Sequence, residues 1–155
     1  MNIFNEFHQR FLFELLKHEV DFIVVGGLSV VFHGYIRTTG DMDLWIRPTN
    51  ENKLKLLPVI SQFGLTQESI EILQNKDFTQ MLAFHFNYPP DKIEFLTSVS
   101  GLEFDDAFVK RDHLAIENFE VPFLSFEDLI INKMTAGRLK DRADVDELQK
   151  FHRKK

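Results

Sequence analysis

Cysteine is absent from the 155 residues. That removes a disulfide framework and any thiolate metal site from consideration. Long apolar runs are missing too. None approaches the roughly 20 residues of a membrane span, and no early run is flanked like a signal peptide, so a cytoplasmic setting is expected. There is no basic excess either. Lys and Arg number 18 against 24 Asp and Glu, a formal charge of −6. A broad nucleic-acid-binding face is therefore not expected, because such binding rests on neutralised phosphates. The tail His152-Arg153-Lys154-Lys155 is locally basic but reads as a frayed, solvated end. No P-loop, Ser-His-Asp order or histidine-rich cluster stands out. Repeats, low-complexity tracts and interdomain linkers are missing as well, so one domain over 1–155 is expected. What is abundant is phenylalanine, 17 residues within a 44% hydrophobic and 27% charged composition. This chain can bury a real core.

Hydrophobic spacing divides the chain into alternating elements. Phe4, Phe7, Phe11, Leu12 and Leu15 recur at helical intervals. Phe22-Ile23-Val24-Val25 is a continuous, β-branched run ending at Gly26-Gly27, which reads as a buried strand entering a tight turn. A short helix over Leu28 to Phe32 closes at Gly34. Asp41-Met42-Asp43-Leu44-Trp45-Ile46 alternates, so Met42, Leu44 and Ile46 face one way and Asp41, Asp43 and Trp45 the other. Pro48-Thr49-Asn50 precedes a helix through Phe63, and Gln67 to Leu73 forms another. Strands are expected at Met81 to Phe86 and Lys92 to Leu96. A hairpin is expected about Glu117-Asn118, with Pro122 favouring an edge position. Ser125, three residues before Asp128, caps a helix from Phe126, and Asp141 and Asp144 start a last helix. The fold class is α/β or α+β: a mixed, twisted sheet with helices packed on one face.

Two features carry chemistry. Asp41 and Asp43 project from one strand face, and carboxylates that close raise each other's pKa unless a cation lies between them. Magnesium suits such a pair, since it takes hard oxygen ligands together with substrate phosphates. The glycines Gly26 and Gly27 leave backbone N–H groups open to an anion, and Ser29 adds a hydroxyl. Plain solvation of the strand face and a simple tight turn are the alternatives for these two features. His33 reads as packed on an apolar helix, His85 has no metal partner by spacing, and Trp45 either packs or stacks on a base.

Taken together, Val24-Val25-Gly26-Gly27-Leu28-Ser29 and Arg37-Thr38-Thr39-Gly40-Asp41-Met42-Asp43-Leu44 resemble the nucleotidyltransferase superfamily, the polymerase-β-like fold. Thirteen residues, Leu28 to Gly40, separate the glycines from the acidic pair, which suits that superfamily. Arg37-Thr38-Thr39 is similar to the Arg-x-Thr of small bacterial members, including abortive-infection toxin-type nucleotidyltransferases. The resemblance implies a third carboxylate on a later strand. Glu94 takes that place, although the usual residue is Asp, and Asp91 is the second candidate. It further implies that Arg37, Thr39, Lys133 and Lys140 join Gly26, Gly27 and Ser29 around a nucleoside triphosphate. Lys133 and Lys140 are seven residues apart and would share a face of a continuous helix.

The implied activity is magnesium- or manganese-dependent transfer of a nucleoside monophosphate from a triphosphate to a hydroxyl. Asp41, Asp43 and Glu94 would serve as metal ligands and catalytic groups. The acceptor is a small molecule, a protein or an RNA end. The chain is short for a separate acceptor domain, which leaves room for a partner protein or a homodimer, and for a role as the toxin of a toxin–antitoxin pair. The competing reading is a nucleotide-binding regulatory module that kept the fold without transfer.

Overall fold

A computed structural model of the chain describes residues 3–154. Lys155, the end of the basic tail, lies outside them. The first helix, α1 (Glu6–Lys17), starts where the Asn5 side chain accepts the His8 amide at 2.8 Å, satisfying one free N–H of the first turn. It buries Phe11, Leu12 and Leu15. The strand β1 (Phe22–Val25) is buried at all four positions, as its unbroken apolar run requires. Next come α2 (Gly26–Phe32), β2 (Met42–Ile46), the Thr49-capped α3 (Asn50–Gln62) and α4 (Gln67–Gln74). The remaining elements are β3 (Ala83–Phe86), β4 (Ile93–Leu96), α5 (Phe104–Val109), β5 (Asp112–Ile116), β6 (Phe119–Phe123), α6 (Phe126–Ala136) and α7 (Leu139–Arg153).

The six strands form one mixed sheet in the order β3-β4-β2-β1-β6-β5. β1 runs antiparallel to β2 and parallel to β6, while β2 runs parallel to β4. Both hairpins, β3–β4 and β5–β6, are antiparallel. Alternation assigns side chains to two cores. Val24, Met42, Leu44, Ile46, Ile93 and Phe95 pack with α1 and α3. Ile23, Val25 and Trp45 pack with α5, α6 and α7. Helices thus cover both faces of the sheet rather than the expected one, because β1 is apolar on both sides and needs cover on both.

Several local expectations change. The Gly26-Gly27 pair is the first turn of α2 rather than a turn preceding it. Met81 is exposed outside β3, which starts at Ala83. β6 lies inside the sheet despite Pro122. Its pairing with β1 is confined to Val24 and Phe123, while Pro122 pairs with His113 of β5, so the proline sits at the margin of the β1 ladder. α5 carries Asp105 and Asp106 in its first turn and, at six residues, has no long periodic signal to announce it. Gly137, with φ of 66°, ends α6 in the left-handed conformation. Lys133 and Lys140 therefore sit on two separate helices, not on one continuous face. The tail is ordered at least through Arg153, since His152 stacks on Phe126 at 3.6 Å and its Nε2 lies 3.0 Å from the His33 carbonyl.

Candidate active site

Strand register builds the site. Val25 pairs with Asp43, Asp43 with Glu94, and Glu94 with His85. Directly opposed residues share a sheet face, so these four form a lateral row across β1, β2, β4 and β3. Asp41 lies two residues before Asp43, just outside β2. One carboxylate oxygen from each of Asp41, Asp43 and Glu94 lies within 4.8 Å of the others. All three residues are half-buried. This is the arrangement that the Asp-x-Asp spacing and the later acidic strand anticipate.

Three carboxylates at that separation repel, and the effect concentrates on Asp43. Burial pushes its carboxyl up to about 6, and Glu94 and Asp41 push in the same direction, while Lys133 and Lys140 oppose them. Its Oδ1 is buried with no hydrogen-bond partner. A buried, unpartnered carboxylate oxygen is costly unless something charged meets it. Asp41 has partial relief from Lys92, whose Nζ lies 3.4 Å away. The donor set is all oxygen and anionic, and it fits a hard divalent cation such as magnesium or manganese.

Gly26 makes the row possible. Its φ is +68°, and a Cβ there would overlap Asp43 Oδ2 and lie 2.9 Å from Asp43 Cγ. Gly26→Ala is therefore expected to cost about 1–3 kcal/mol, combining left-handed strain with displacement of Asp43. The checks are a lower melting temperature and weaker manganese binding in calorimetric titration; wild-type values for both would mean that the two backbones are not so closely held. A Cβ on Gly27 would overlap Thr39 Oγ1, lie 2.8 Å from Thr39 Cβ and come 3.6 Å from Arg37 Nη1. Thr39 and Arg37 are thereby packed beside the start of α2.

The other expected residues divide. Ser29 is fully buried, and its hydroxyl donates to the Gly26 carbonyl at 2.6 Å. It braces the first turn of α2 instead of facing outward. Lys133 is 5% exposed, with Nζ 3.2 Å from Asp141 and 3.1 Å from Asp144. Lys140 is exposed and near enough to Asp43 to act on its charge. Trp45 is buried, meets the Phe104 ring at 5.2 Å and donates Nε1–H to the Thr97 carbonyl at 3.3 Å. His33 is packed as expected, with Nε2 2.7 Å from the Leu124 carbonyl. Asp91 stands outside the triad, on the loop between β3 and β4, where Asn5 Nδ2 donates to it at 3.4 Å. Sequence reasoning missed His85, which spacing along the chain cannot bring to Glu94, and missed the partners of Lys133. Asp141 and Asp144 at i, i+3 in a helix were the available signal for the latter.

A groove of about 1300 Å³ opens from Gly26, Asp43 and Lys133, runs over Trp45 and reaches Met81 and Leu102. A family model described as nucleotidyltransferase of unknown function (DUF6036) matches residues 2–152. The chain belongs to this family. A crystal structure of a Thermotoga maritima protein, described as a "putative nucleotidyltransferase", has the same fold. The two agree at a TM-score of 0.57 with 13% identity, over 96% of this chain and 91% of that one. No curated protein matches the chain significantly. Of the acidic triad, Asp43 lines this groove. Among the described residues, no helix is long and apolar enough to cross a membrane.

Proposed function

We propose that the protein is a metal-dependent nucleotidyltransferase that moves a nucleoside monophosphate from a triphosphate to a hydroxyl. The observation that carries this reading is the convergence of Asp41, Asp43 and Glu94 within 4.8 Å, beside a Gly26 whose missing side chain leaves that approach open. Family membership supports the reaction class. Asp41 and Asp43 hold magnesium or manganese with Glu94. When bound, such an ion neutralises charge developing on the phosphoryl group in transfer. Gly26 and Gly27 present bare backbone to the phosphates, and Arg37, Lys133 and Lys140 supply positive charge near them. Thr39 limits the space beside Gly27. Glu94 accepts the proton of the attacking hydroxyl, and pyrophosphate leaves. The acceptor enters from the groove. With an RNA end or a protein as acceptor, the transferase acts as a toxin restrained by a partner protein, and induced expression arrests growth unless Asp43 is replaced by Asn.

The direct test is binding. Calorimetric titration with ATP should show association in the presence of manganese and none after chelation. Association that ignores metal would remove the triad from the reading.

A further inference from the structure

The last helix contributes a residue whose chemistry the triad leaves unexplained. Asp144 is 3% exposed, on α7. It takes part in no cap or turn of its own helix. Its neighbour Asp141 differs, because it accepts the Arg138 amide at 3.2 Å and so starts the helix. Both oxygens of Asp144 instead meet cations from other elements. Oδ1 accepts from Arg37 Nε at 2.9 Å, and Oδ2 accepts from Arg37 Nη2 at 3.0 Å. The same Oδ2 lies 3.1 Å from Lys133 Nζ. One buried carboxylate therefore holds two cations that are 96 residues apart in the chain, in the fork geometry that fixes a guanidinium most firmly.

One of the two cations lines the groove, and the other lies beside the first turn of α2. Lys133 lines the groove together with Gly26 and Asp43, and its charge reaches Asp43. With Nε and Nη2 engaged by Asp144, Arg37 is left with Nη1. That nitrogen donates to the Thr38 carbonyl at 3.1 Å and lies beside Gly27. Arg37, Lys133 and Arg138 bring three positive charges against the two negative ones of Asp141 and Asp144. The cluster keeps a net positive charge next to the acidic triad. Folding α7 back against α2 and α6 with a carboxylate at this point makes physical sense if the cations must be held in place for an anion.

We propose that Asp144 is a positioning residue: it sets Arg37 and Lys133 as a two-point clamp for the polyphosphate of a nucleoside triphosphate. This rests on the triphosphate reading above. The clamp acts on the chain of phosphates, not on the base, sugar or metal. Asp144→Asn keeps the shape and removes the charge that orders both cations. Arg37 then loses its fork, and Lys133 loses one of its two partners.

The test uses the full chain with manganese, and three probes in calorimetric titration: inorganic tripolyphosphate, ATP and AMP. The clamp predicts at least tenfold weaker binding of tripolyphosphate and ATP by Asp144→Asn. AMP binding and manganese binding alone should stay within threefold. In the Arg37→Met, Lys133→Met background, adding Asp144→Asn should change tripolyphosphate binding less than twofold, because nothing remains to be positioned. Near-ultraviolet circular dichroism establishes that each variant is folded. Should Asp144→Asn fail to fold, the wild type decides alone. Its Arg37 Nε–H signal in heteronuclear NMR should shift on saturation with tripolyphosphate and stay put with AMP. Equal losses for ATP and AMP, wild-type binding by a folded Asp144→Asn, or a motionless Arg37 signal would each overturn the clamp. These results leave the transferase reading standing as long as metal-dependent ATP binding persists. A wild type that binds neither ATP nor tripolyphosphate overturns both. Binding without transfer to any acceptor overturns only the transferase.

Discussion

Asp43→Asn should abolish most metal binding and at the same time make the metal-free protein more stable. Manganese affinity is expected to fall by about a hundredfold, the upper end of what changes around a metal ligand cost. The stability gain follows from the strain that the carboxylate carries. Its pKa stands at about 6 against an ordinary 3.8, raised by burial, then by Glu94 and Asp41. Below 3.8 both folded and unfolded chains hold the proton. Between the two values only the folded chain holds it, so the stability contributed by the protonated form is lost as pH rises and is gone above about 6. A shift of that size, discounted for partial exposure, corresponds to a penalty on the order of 1–2 kcal/mol at neutral pH. Removing the charge should raise the neutral-pH melting temperature by about 3–6 °C. It should also flatten the wild-type decline between pH 4 and 6, apart from what other groups contribute. In the wild type, manganese must displace that proton, so affinity should climb with pH to about 6 and then level off. Titrations at pH 5 and 7.5, in buffers of different ionisation enthalpy, would detect the proton released. Unchanged manganese binding by Asp43→Asn would reduce the triad to a solvated strand face.

Much of this site can be read along the chain because its central parts are local. Two aspartates two residues apart in a strand share a face whatever surrounds them. A Gly-Gly pair after four apolar residues signals close approach before any partner is known. Strand pairing is another matter, since the row from Val25 to His85 depends on register between residues as far apart in the chain as Asp43 and Glu94. Glu94 could be placed only because the resemblance supplied the expected third carboxylate. His85 had no such guide. The C-terminal cations mark the limit most plainly. Lys133 and Lys140 have the spacing of one helical face, and a single left-handed glycine, Gly137, divides that face in two. Lys133 then turns inward to Asp141 and Asp144, where a periodicity argument leaves it on a surface. The second layer of helices was missed for a similar reason: β1 states its need for cover on both faces, but α5 is too short to show which segment provides part of it.

Glu94→Gln should reduce transfer by about 10²–10⁴-fold, the range associated with a missing general base, and leave triphosphate binding largely intact. On the proposed reading Asp41 and Asp43 suffice to keep a nucleotide-bound cation, so the loss should fall on the turnover rate and not on affinity. Glu94 sits at the right place for this division of labour. It is one strand beyond Asp43 on the same face, on the side away from β1 and Gly26. On the proposed reading, Glu94 faces the acceptor hydroxyl and the pyrophosphate leaves on the opposite side, as in-line displacement requires. Glu94→Asp is the sharper probe. It installs the residue usual at this position in similar proteins, one methylene shorter, and activity should be retained or raised if the carboxylate is the proton acceptor. A purely structural Glu94 would treat both substitutions alike, since neither alters the apolar neighbours Ile93 and Phe95 that anchor β4 in the core. The assay follows label from α-labelled triphosphates onto tRNA, host protein and small hydroxylated compounds, with all four nucleotides. Robust transfer by Glu94→Gln would remove Glu94 from the chemistry and leave the two aspartates as a binding site. Absence of transfer by the unmodified protein, alongside intact metal-dependent triphosphate binding, would make the chain a nucleotide-binding module that retains the fold of a transferase.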